Sequence, residues 1–497
     1  MKKKKKIQTK GPIVEIIFLI FGISILSFLL NMFNVKSYLT EAGTFETTLV
    51  IANNILSSDG IKYILNNTLT NFQMLEPVIL VILSLISVSV LEASGLLKHI
   101  FQPLKKLKLK YVILMVMFIG IISTLIGDYS YALLIPVAGI LYKYIDRSPS
   151  LGILTMFLAI TIGYGTGLIY NYQTYQLGNI TEIAASSITA DYNYELLSNI
   201  FVLVLSTFIM TIVGTIIIDK FSKKYVREEY NDNLNISKKA GRITLVAFII
   251  MCLVFIYCVI PGFPKSGLLL DKTEPTYIGK LFGGGSLLSQ GFMVLIIVML
   301  MLCGLIYGRV SKNVKSSKDY SNALTKSFEN TGYVFVLLFF TSVLYEIIEW
   351  TNISTVLSTK IVDFIGASQL SGLLLIIAVL ISIIIISILI PNTMNKWEIM
   401  ASIYIPLLMR ANISPAFTQT IFQISDSIGK LFSPIYIYLI ITIGFMYKYD
   451  KEGNVGIIST MKKIMPVIIL LSLTWLIMLL GWYLLGLPIG IESSITL

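Results

Sequence analysis

Polar residues interrupt two long apolar segments of the chain, at Ile121-Ile-Ser-Thr-Leu-Ile-Gly-Asp-Tyr-Ser130 and at Ile388-Leu-Ile-Pro-Asn-Thr-Met-Asn-Lys-Trp397. Each interruption is followed by a Ser-Pro step, Ser148-Pro149 and then Ser414-Pro415, and by a second interrupted apolar segment. We interpret the two regions as copies of one unit. A broken helix leaves backbone groups unpaired at membrane depth, which is tolerated only where they face protein or a wet cavity. The paired interruptions therefore predict a transporter whose binding site lies near the bilayer midplane.

The composition places the chain in a membrane. Of its 497 residues, 56% are hydrophobic and only 13% are charged, whereas a soluble domain carries roughly 25% charged residues. The formal net charge of +11 comes from lysines in short runs between apolar segments. This pattern is typical of cytoplasmic loops that face anionic lipid headgroups, so a nucleic-acid partner is not expected.

The motifs that would indicate an enzyme are missing. Cys252, Cys258 and Cys303 all fall inside apolar spans without metal-ligand spacing, so neither a disulfide framework nor a zinc site is predicted. The sequence contains no nucleotide-binding P-loop, nucleophile elbow or zinc signature. A membrane-embedded enzyme or assembly subunit is therefore the less favoured class, and no cofactor is expected beyond a coupling Na⁺ or H⁺.

The distribution of lysine and arginine predicts the topology. Basic segments, including the lysine-rich N-terminus and 219–242, are placed on the cytoplasmic side, and the loops poor in lysine are placed outside. The predicted fold is an all-α polytopic membrane protein with an N-terminal region at 1–73, a first repeat at 74–218 and a second half at 243–497. Consistent placement gives nine crossings, at 12–33, 74–97, 150–177, 196–218, 243–262, 289–308, 330–349, 416–446 and 464–487.

Two further apolar stretches, 111–146 and 371–412, are too long for one crossing but must begin and end on the same side. Each is interpreted as a re-entrant helical hairpin, the first entering from the cytoplasm and the second from outside. Opposite entry sides are typical of an inverted-topology repeat, in which two halves meet around a shared site.

The candidate site residues are the polar groups at membrane depth. Asp128 and Ser130 lie at the first hairpin tip, and Asn392, Asn395 and Trp397 lie at the second. Asp128 could instead accept backbone N–H bonds in the bend, and Trp397 could instead be an interfacial anchor. The interrupted helices add Gln173 in the first copy, and Asp426, Ser427 and Pro434 in the second.

Asp426 is the predicted coupling-ion site, with Ser427 beside it. A carboxylate at mid-membrane is costly unless it is paired or solvated, so it is a functional hypothesis by default. Na⁺ would need additional oxygens from unwound carbonyls, whereas a proton needs only the carboxylate, and both ions remain open. In the alternative interpretation, Asp426 caps a half-helix or pairs with Lys430.

The chain resembles the p-aminobenzoyl-glutamate transporter (AbgT) family as a divergent member, from about Ile79 to Gly490. The blocks that carry the resemblance are Leu91-Glu-Ala-Ser-Gly-Leu96, Arg147-Ser-Pro149, Gly178-Asn-Ile-Thr-Glu182, Ser414-Pro-Ala-Phe-Thr-Gln419 and the final helix from Trp475. They occur in the family's order, with Asp128, Pro136 and Ser425-Asp426-Ser427 between them. The family's functional tryptophan, proline, aspartate and later proline fall on Trp397, Pro415, Asp426 and Pro434.

The resemblance implies nine crossings, two re-entrant hairpins, a homodimer and a bacterial inner-membrane location. It also implies ion-gradient-driven uptake of p-aminobenzoyl-glutamate or export of sulfonamide-like antimetabolites. Four departures change the pocket: the family's small-residue hairpin tip is Pro391-Asn-Thr-Met-Asn395, an asparagine of the family is Ser387, an arginine is Gln423, and an aspartate falls near Gln173 or Thr174. Arginine binds a substrate carboxylate bidentately and glutamine cannot, so the charge that the pocket prefers differs from that of the family. The alternative is a cation-coupled carrier for dicarboxylates or short-chain organic acids, which the polar, uncharged replacements favour.

Overall fold

The computed structural model describes residues 11–40, 47–195, 197–225, 230, 232–329, 331–390, 392–450 and 453–497. The lysine-rich N-terminus and Pro391 lie outside the described residues. Two antiparallel strands, β1 (Lys36–Thr40) and β2 (Thr47–Ile51), accompany twenty α-helices. The helices are α1 Pro12–Met32, α2 Ser58–Met74, α3 Glu76–Ala93, α4 Leu96–Phe101, α5 Leu109–Ile122, α6 Tyr129–Tyr144, α7 Pro149–Gly163, α8 Tyr172–Ala185, α9 Ile200–Ser222, α10 Lys238–Val259, α11 Tyr277–Phe282, α12 Leu287–Ser311, α13 Ser317–Thr325, α14 Gly332–Trp350, α15 Ile353–Gly366, α16 Gly372–Leu389, α17 Thr393–Arg410, α18 Pro415–Phe432, α19 Ile437–Tyr447 and α20 Ile457–Leu485.

Nine helical segments among the described residues are long and apolar enough to cross a membrane. The predicted fold class, mostly helical with about nine apolar spans, is confirmed. The set of nine differs from the predicted crossings, because it includes α5 and α16, which are the first arms of the two predicted hairpins. Each of these two spans has 18 residues, and for α5 this length includes the short turn that follows the helix.

The segments at 150–177 and 416–446 are each broken into two helices. The first is α7 and α8, separated by residues 164–171, and the second is α18 and α19, which are bent by 41°. The stretch 35–71, which follows the first predicted crossing, contains the β-hairpin and most of α2.

In both halves, a glycine allows the broken helix to lie directly against the first arm of its hairpin. A Cβ added at Gly163 of α7 would lie 2.5 Å from the Ile121 carbonyl oxygen of α5. A Cβ added at Gly429 of α18 would lie 2.4 Å from Ser387 Cβ and 2.7 Å from the Ile384 carbonyl oxygen, both on α16. Side chains larger than hydrogen cannot occupy these positions without displacing backbone.

The second arm of each hairpin packs against the broken helix of the opposite half. Tyr131 of α6 stacks on Tyr438 of α19, with ring centroids 4.2 Å apart. Correspondingly, Trp397 Nε1 of α17 donates to Thr181 Oγ1 of α8 at 3.0 Å. In each half, the second arm of the hairpin thus contacts a broken helix of the other half.

The backbone at both breaks is bonded to protein. The Gly167 N–H donates to the Leu203 carbonyl at 3.2 Å. In the second break, the Tyr345 hydroxyl donates to the Ile435 carbonyl at 2.8 Å and accepts from the Ile437 N–H at 3.0 Å. Irregular backbone at membrane depth requires such partners.

Candidate functional site

Asp426 lies at the centre of a buried polar cluster, with 1% of its surface exposed. Its Oδ1 accepts from Ser387 Oγ at 2.9 Å and from Lys396 Nζ. Its Oδ2 accepts from Thr393 Oγ1 at 2.9 Å and lies 3.0 Å from Lys430 Nζ. We name these five residues the lysine-aspartate centre. Both carboxylate oxygens are thus fully occupied by protein donors.

Local sequence explains why three helices meet here. Lys430 follows Asp426 by four residues, which places both side chains on one face of α18. The Asn392 side chain caps α17 by accepting from the Asn395 N–H at 3.1 Å. This cap starts the helix so that Lys396, in its first turn, points to Asp426. Gly429 allows α16 to approach closely enough for Ser387 to reach the carboxylate.

The charge of the centre is unbalanced. The side chains of Lys396, Asp426 and Lys430 are 0%, 2% and 4% exposed. Two ammonium groups and one carboxylate carry a net charge of +1 when all three are ionised. Burying an ion costs several kcal/mol even after the protein relaxes. An excess charge inside a membrane protein is therefore a strong indication of a binding or coupling function.

The predicted Na⁺ site at Asp426 does not fit this geometry. A sodium ion there would be a third cation on a carboxylate whose two oxygens already bind ammonium groups. Ser427 also turns away from the carboxylate, because its hydroxyl donates to the Gln423 carbonyl at 3.0 Å. The alternative interpretation, pairing of Asp426 with Lys430, is what the structure contains.

The first hairpin tip is connected to this centre through Tyr164, which follows α7. The Tyr164 hydroxyl donates to the carboxylate of Asp128. Lys430 Nζ lies 4.7 Å from the centroid of the same tyrosine ring and 5.8 Å from that of Tyr436, within cation-π range. Asp128 is half-buried. Ser130 is fully buried, and its hydroxyl has no hydrogen-bond partner among the described residues.

A layer of amides and one tryptophan lies next to the centre, on the same face of α18 and toward the N-terminus of this helix. Trp397 is fully buried and stacks on Phe422, with ring centroids 4.4 Å apart. It is therefore not an interfacial anchor. Thr181 donates to Gln419 Oε1 at 2.7 Å, and Asn199 Nδ2 donates to Gln423 Oε1 at 3.2 Å. Gln423 thus belongs to a neutral hydrogen-bond network next to the charged centre.

Other predicted residues lie outside the lysine-aspartate centre. Pro415 begins α18, eleven residues before Asp426, or about 16 Å along the helix. Pro434 lies in the break after α18, and Gln173 is half-buried in the first turn of α8. Asn392 and Asn395 are exposed at the tip.

The prediction missed Lys396, Lys430, Thr393 and Tyr164 as site residues. For the two lysines a signal was available, because each lies inside an otherwise apolar stretch, where an ionisable residue is expensive. For Thr393 and Tyr164 no such signal exists, because hydroxyl groups are common in membrane helices.

Comparison with known proteins identifies the family. The chain matches the model of the AbgT putative transporter family over residues 7–497. It belongs to this family. The AbgT-family chain is 23% identical over 484 residues to the p-aminobenzoyl-glutamate transport protein of Escherichia coli (strain K12), covering 96% of this chain and 93% of that protein.

Two solved structures share the fold. The Alcanivorax borkumensis YdaH transporter is 25% identical, with a TM-score of 0.51 over 97% of this chain and all of the YdaH chain. Neisseria gonorrhoeae MtrF, which is described as illuminating a class of antimetabolite efflux pumps, is 24% identical to this chain. The superposition has a TM-score of 0.50 and covers 98% of each of the two chains. The family resemblance is confirmed. This AbgT-family protein is a multi-pass membrane transporter of a small molecule and not an enzyme.

Proposed function

We propose that this AbgT-family transporter is a secondary active carrier for p-aminobenzoyl-glutamate or a related aromatic amide or organic anion. The observation that carries the proposal is the excess positive charge buried between the two helix breaks. A ligand carboxylate would neutralise that charge and would bind to an ammonium group by a charge-assisted hydrogen bond. The name of the Escherichia coli relative supports the cargo.

The surroundings of Lys430 suit an aromatic anion. The rings of Tyr164 and Tyr436 flank its ammonium group and offer faces on which an aminobenzoyl ring could stack. Thr393, which bonds to both Asp426 and Lys430, is half-buried at the exposed hairpin tip. Movement of this tip would open a route from water to the centre.

The second candidate cargo is a dicarboxylate or a short-chain organic acid. The neutral pair Asn199 and Gln423 favours it, because amides bind a second carboxylate or hydroxyl group without adding a fixed charge. We propose that coupling uses the proton gradient, since Na⁺ does not fit Asp426. An inverted repeat, a homodimer, a bacterial cytoplasmic membrane and a cytoplasmic N-terminus complete the proposal.

The test is flux of radiolabelled p-aminobenzoyl-glutamate into proteoliposomes, under a pH gradient and separately under a Na⁺ gradient. Wild type, Asp426→Asn and Asp363→Asn are compared; Asp363 is an exposed carboxylate on α15 and serves as the control. We expect flux driven by the pH gradient in the wild type and in Asp363→Asn, and none in Asp426→Asn.

Flux driven only by Na⁺ would overturn the proposed coupling. If folded wild type carries no p-aminobenzoyl-glutamate but exchanges succinate, the second cargo class replaces the first. Orientation-selective labelling of cysteines placed in loops would test the predicted sides of the membrane.

A further inference from the structure

A small cavity lies beside α6 and α19, away from the lysine-aspartate centre. At the end of these helices nearer to the centre, Tyr131 of α6 stacks on Tyr438 of α19, with ring centroids 4.2 Å apart. Phe445, which lines the cavity, follows Tyr438 by seven residues, or about 10 Å along α19. Pro136 lines the cavity from α6. The cavity shares no residue with the lysine-aspartate centre and lies toward the end of α19 that is predicted to face the cytoplasm.

The walls of this cavity are mainly apolar. Leu85 and Val88 of α3, Ile140 of α6 and Ile153 of α7 complete the apolar lining. The polar lining residues belong to the segments that follow α13 and α19, and they are Ser327, Thr331, Lys448 and Tyr449. The cavity has room for about one water-sized group. It can therefore hold one small polar group but not a whole aromatic amide.

Lys448 brings a positive charge to the cavity. The charged side chains that act on its ammonium group are Glu92, Glu329, Lys143 and Lys326. Glu92 is bound to Lys143 at 3.2 Å, and Glu329 is exposed. The ion pairs of the described residues do not include Lys448. Three ammonium groups and two carboxylates leave one positive charge in excess, and Lys448 is the half-buried group that carries it.

Ser327 offers a second donor beside Lys448. Its backbone N–H donates to Ser89 Oγ at 2.8 Å, which holds the residue against α3. Ser327 is 3% exposed, and its hydroxyl has no hydrogen-bond partner among the described residues. A buried hydroxyl without a partner is unfavourable and needs an explanation. An anion supplies the missing acceptor, because a hydroxyl and an ammonium group both donate charge-assisted hydrogen bonds to it.

We infer that this cavity is a second anion site, at which Lys448 and Ser327 bind one small monovalent anion. A monovalent anion balances the single excess charge. The small volume limits the ligand to a chloride ion or to the carboxylate group of an organic anion. Where that carboxylate belongs to the cargo, the inference rests on the proposed function; where the ligand is free chloride, it stands without it.

Chlorine NMR of the full chain in nanodiscs of neutral lipid tests the inference, because bound chloride broadens the signal of free chloride. Each broadening is taken as the difference between the wild type and Lys448→Gln, so that chloride bound at the lysine-aspartate centre cancels. We expect a positive difference that acetate removes by competition, since acetate carries a single carboxylate.

A second competitor, p-aminobenzoyl-glutamate, identifies the source of the anion. If it removes the difference as acetate does, the cargo carboxylate occupies the cavity. If only acetate does so, the ligand is a free small anion. Failure of the protein to transport p-aminobenzoyl-glutamate leaves the chloride result unchanged, so the proposed function and this inference fail separately.

Two further variants locate the site. Ser327→Ala should weaken chloride binding about tenfold, as for loss of one hydrogen bond to a charged group. Lys462→Gln is the matched control, because Lys462 is an exposed lysine of α20 on the same predicted side of the membrane. It should leave the broadening unchanged.

Equal broadening in the wild type, Lys448→Gln and Ser327→Ala would overturn the inference. A loss in Lys462→Gln as large as that in Lys448→Gln would also overturn it, because the effect would then come from the general surface charge. If Lys448→Gln does not elute as a single species, Ser327→Ala and wild-type crystals soaked in bromide decide the question. Absence of an anomalous bromide peak beside Lys448 Nζ would contradict the site.

Discussion

The hairpin α5–α6 ends in a half-buried carboxylate, Asp128, that a tyrosine hydroxyl binds. The hairpin α16–α17 ends beside a fully buried lysine, Lys396, that is bound to a carboxylate. Both hairpins lie against a broken helix through a glycine, at Gly163 and Gly429. The two hairpins therefore differ at their tips: the first has a half-buried carboxylate, and the second has a fully buried ion pair.

The difference in burial decides how much each charge matters. Asp128 keeps some contact with solvent, so its replacement by a neutral acceptor should have a moderate cost. The charges of the lysine-aspartate centre have almost no solvent contact, so each depends on its partner. The comparison predicts that equivalent substitutions are more damaging in the second half.

The largest contrast is expected between Asp426→Asn and Asp128→Asn. Loss of Asp426 leaves two buried ammonium groups without a carboxylate, which we expect to cost about 3–5 kcal/mol of stability and to abolish gradient-driven flux. Asp128→Asn keeps an oxygen that accepts from Tyr164, so flux should fall by about fivefold or less. Thermal unfolding and proteoliposome flux measure both effects. Equal losses in the two variants would contradict the contrast.

The second prediction concerns the close glycine contact that occurs in both halves. Gly163→Ala and Gly429→Ala should each cost about 1–3 kcal/mol, because the added Cβ meets backbone atoms of the neighbouring arm. The control is Gly481→Ala on α20, where nothing lies within 4 Å of an added Cβ. Alanine should be neutral or stabilising there. If Gly163→Ala or Gly429→Ala is as stable in thermal unfolding as Gly481→Ala, the close contact at that glycine does not determine how the broken helix packs against the hairpin arm.

A smaller effect is expected for Tyr164→Phe. The ring that faces Lys430 is retained, and only the hydroxyl donated to Asp128 is lost. We expect substrate affinity to weaken by about tenfold, as for removal of one hydrogen bond to a charged group. Tyr436→Phe, measured by the same binding assay, provides the comparison because its ring also faces Lys430. A larger loss in Tyr436→Phe would mean that the link to Asp128 is unimportant.

The smallest effect is expected for Thr393→Val, which removes the hydroxyl between Asp426 and Lys430 while both ions remain in contact. The loss should be about 1 kcal/mol, or about fivefold in affinity. Thr474→Val on α20, where the hydroxyl bonds to its own helix, is the control. A loss above a hundredfold would show that Thr393 contacts the substrate directly.

The candidate site was only partly predictable. A carboxylate inside an apolar segment is rare, so Asp426 could be identified from the sequence as a functional candidate. Its partners Ser387, Thr393 and Lys396 are separated from it by 30 to 39 residues, and nothing in their spacing indicates contact. For this reason the sequence favoured an unpaired carboxylate that binds a coupling cation. In the structure, both oxygens of this carboxylate are already bound by protein donors.

The membrane location, the helical fold with about nine apolar spans, the two breaks and the family could all be predicted from the sequence. These follow from hydropathy, from small and polar residues inside apolar runs, and from ordered sequence blocks, all of which are local properties. The sharing of one carboxylate by Lys396 and Lys430, and the link from Lys430 through Tyr164 to Asp128, became known only from the folded structure. Those contacts depend on how closely α16, α17 and α18 approach, and this distance is set by packing around Gly429 rather than by any local pattern.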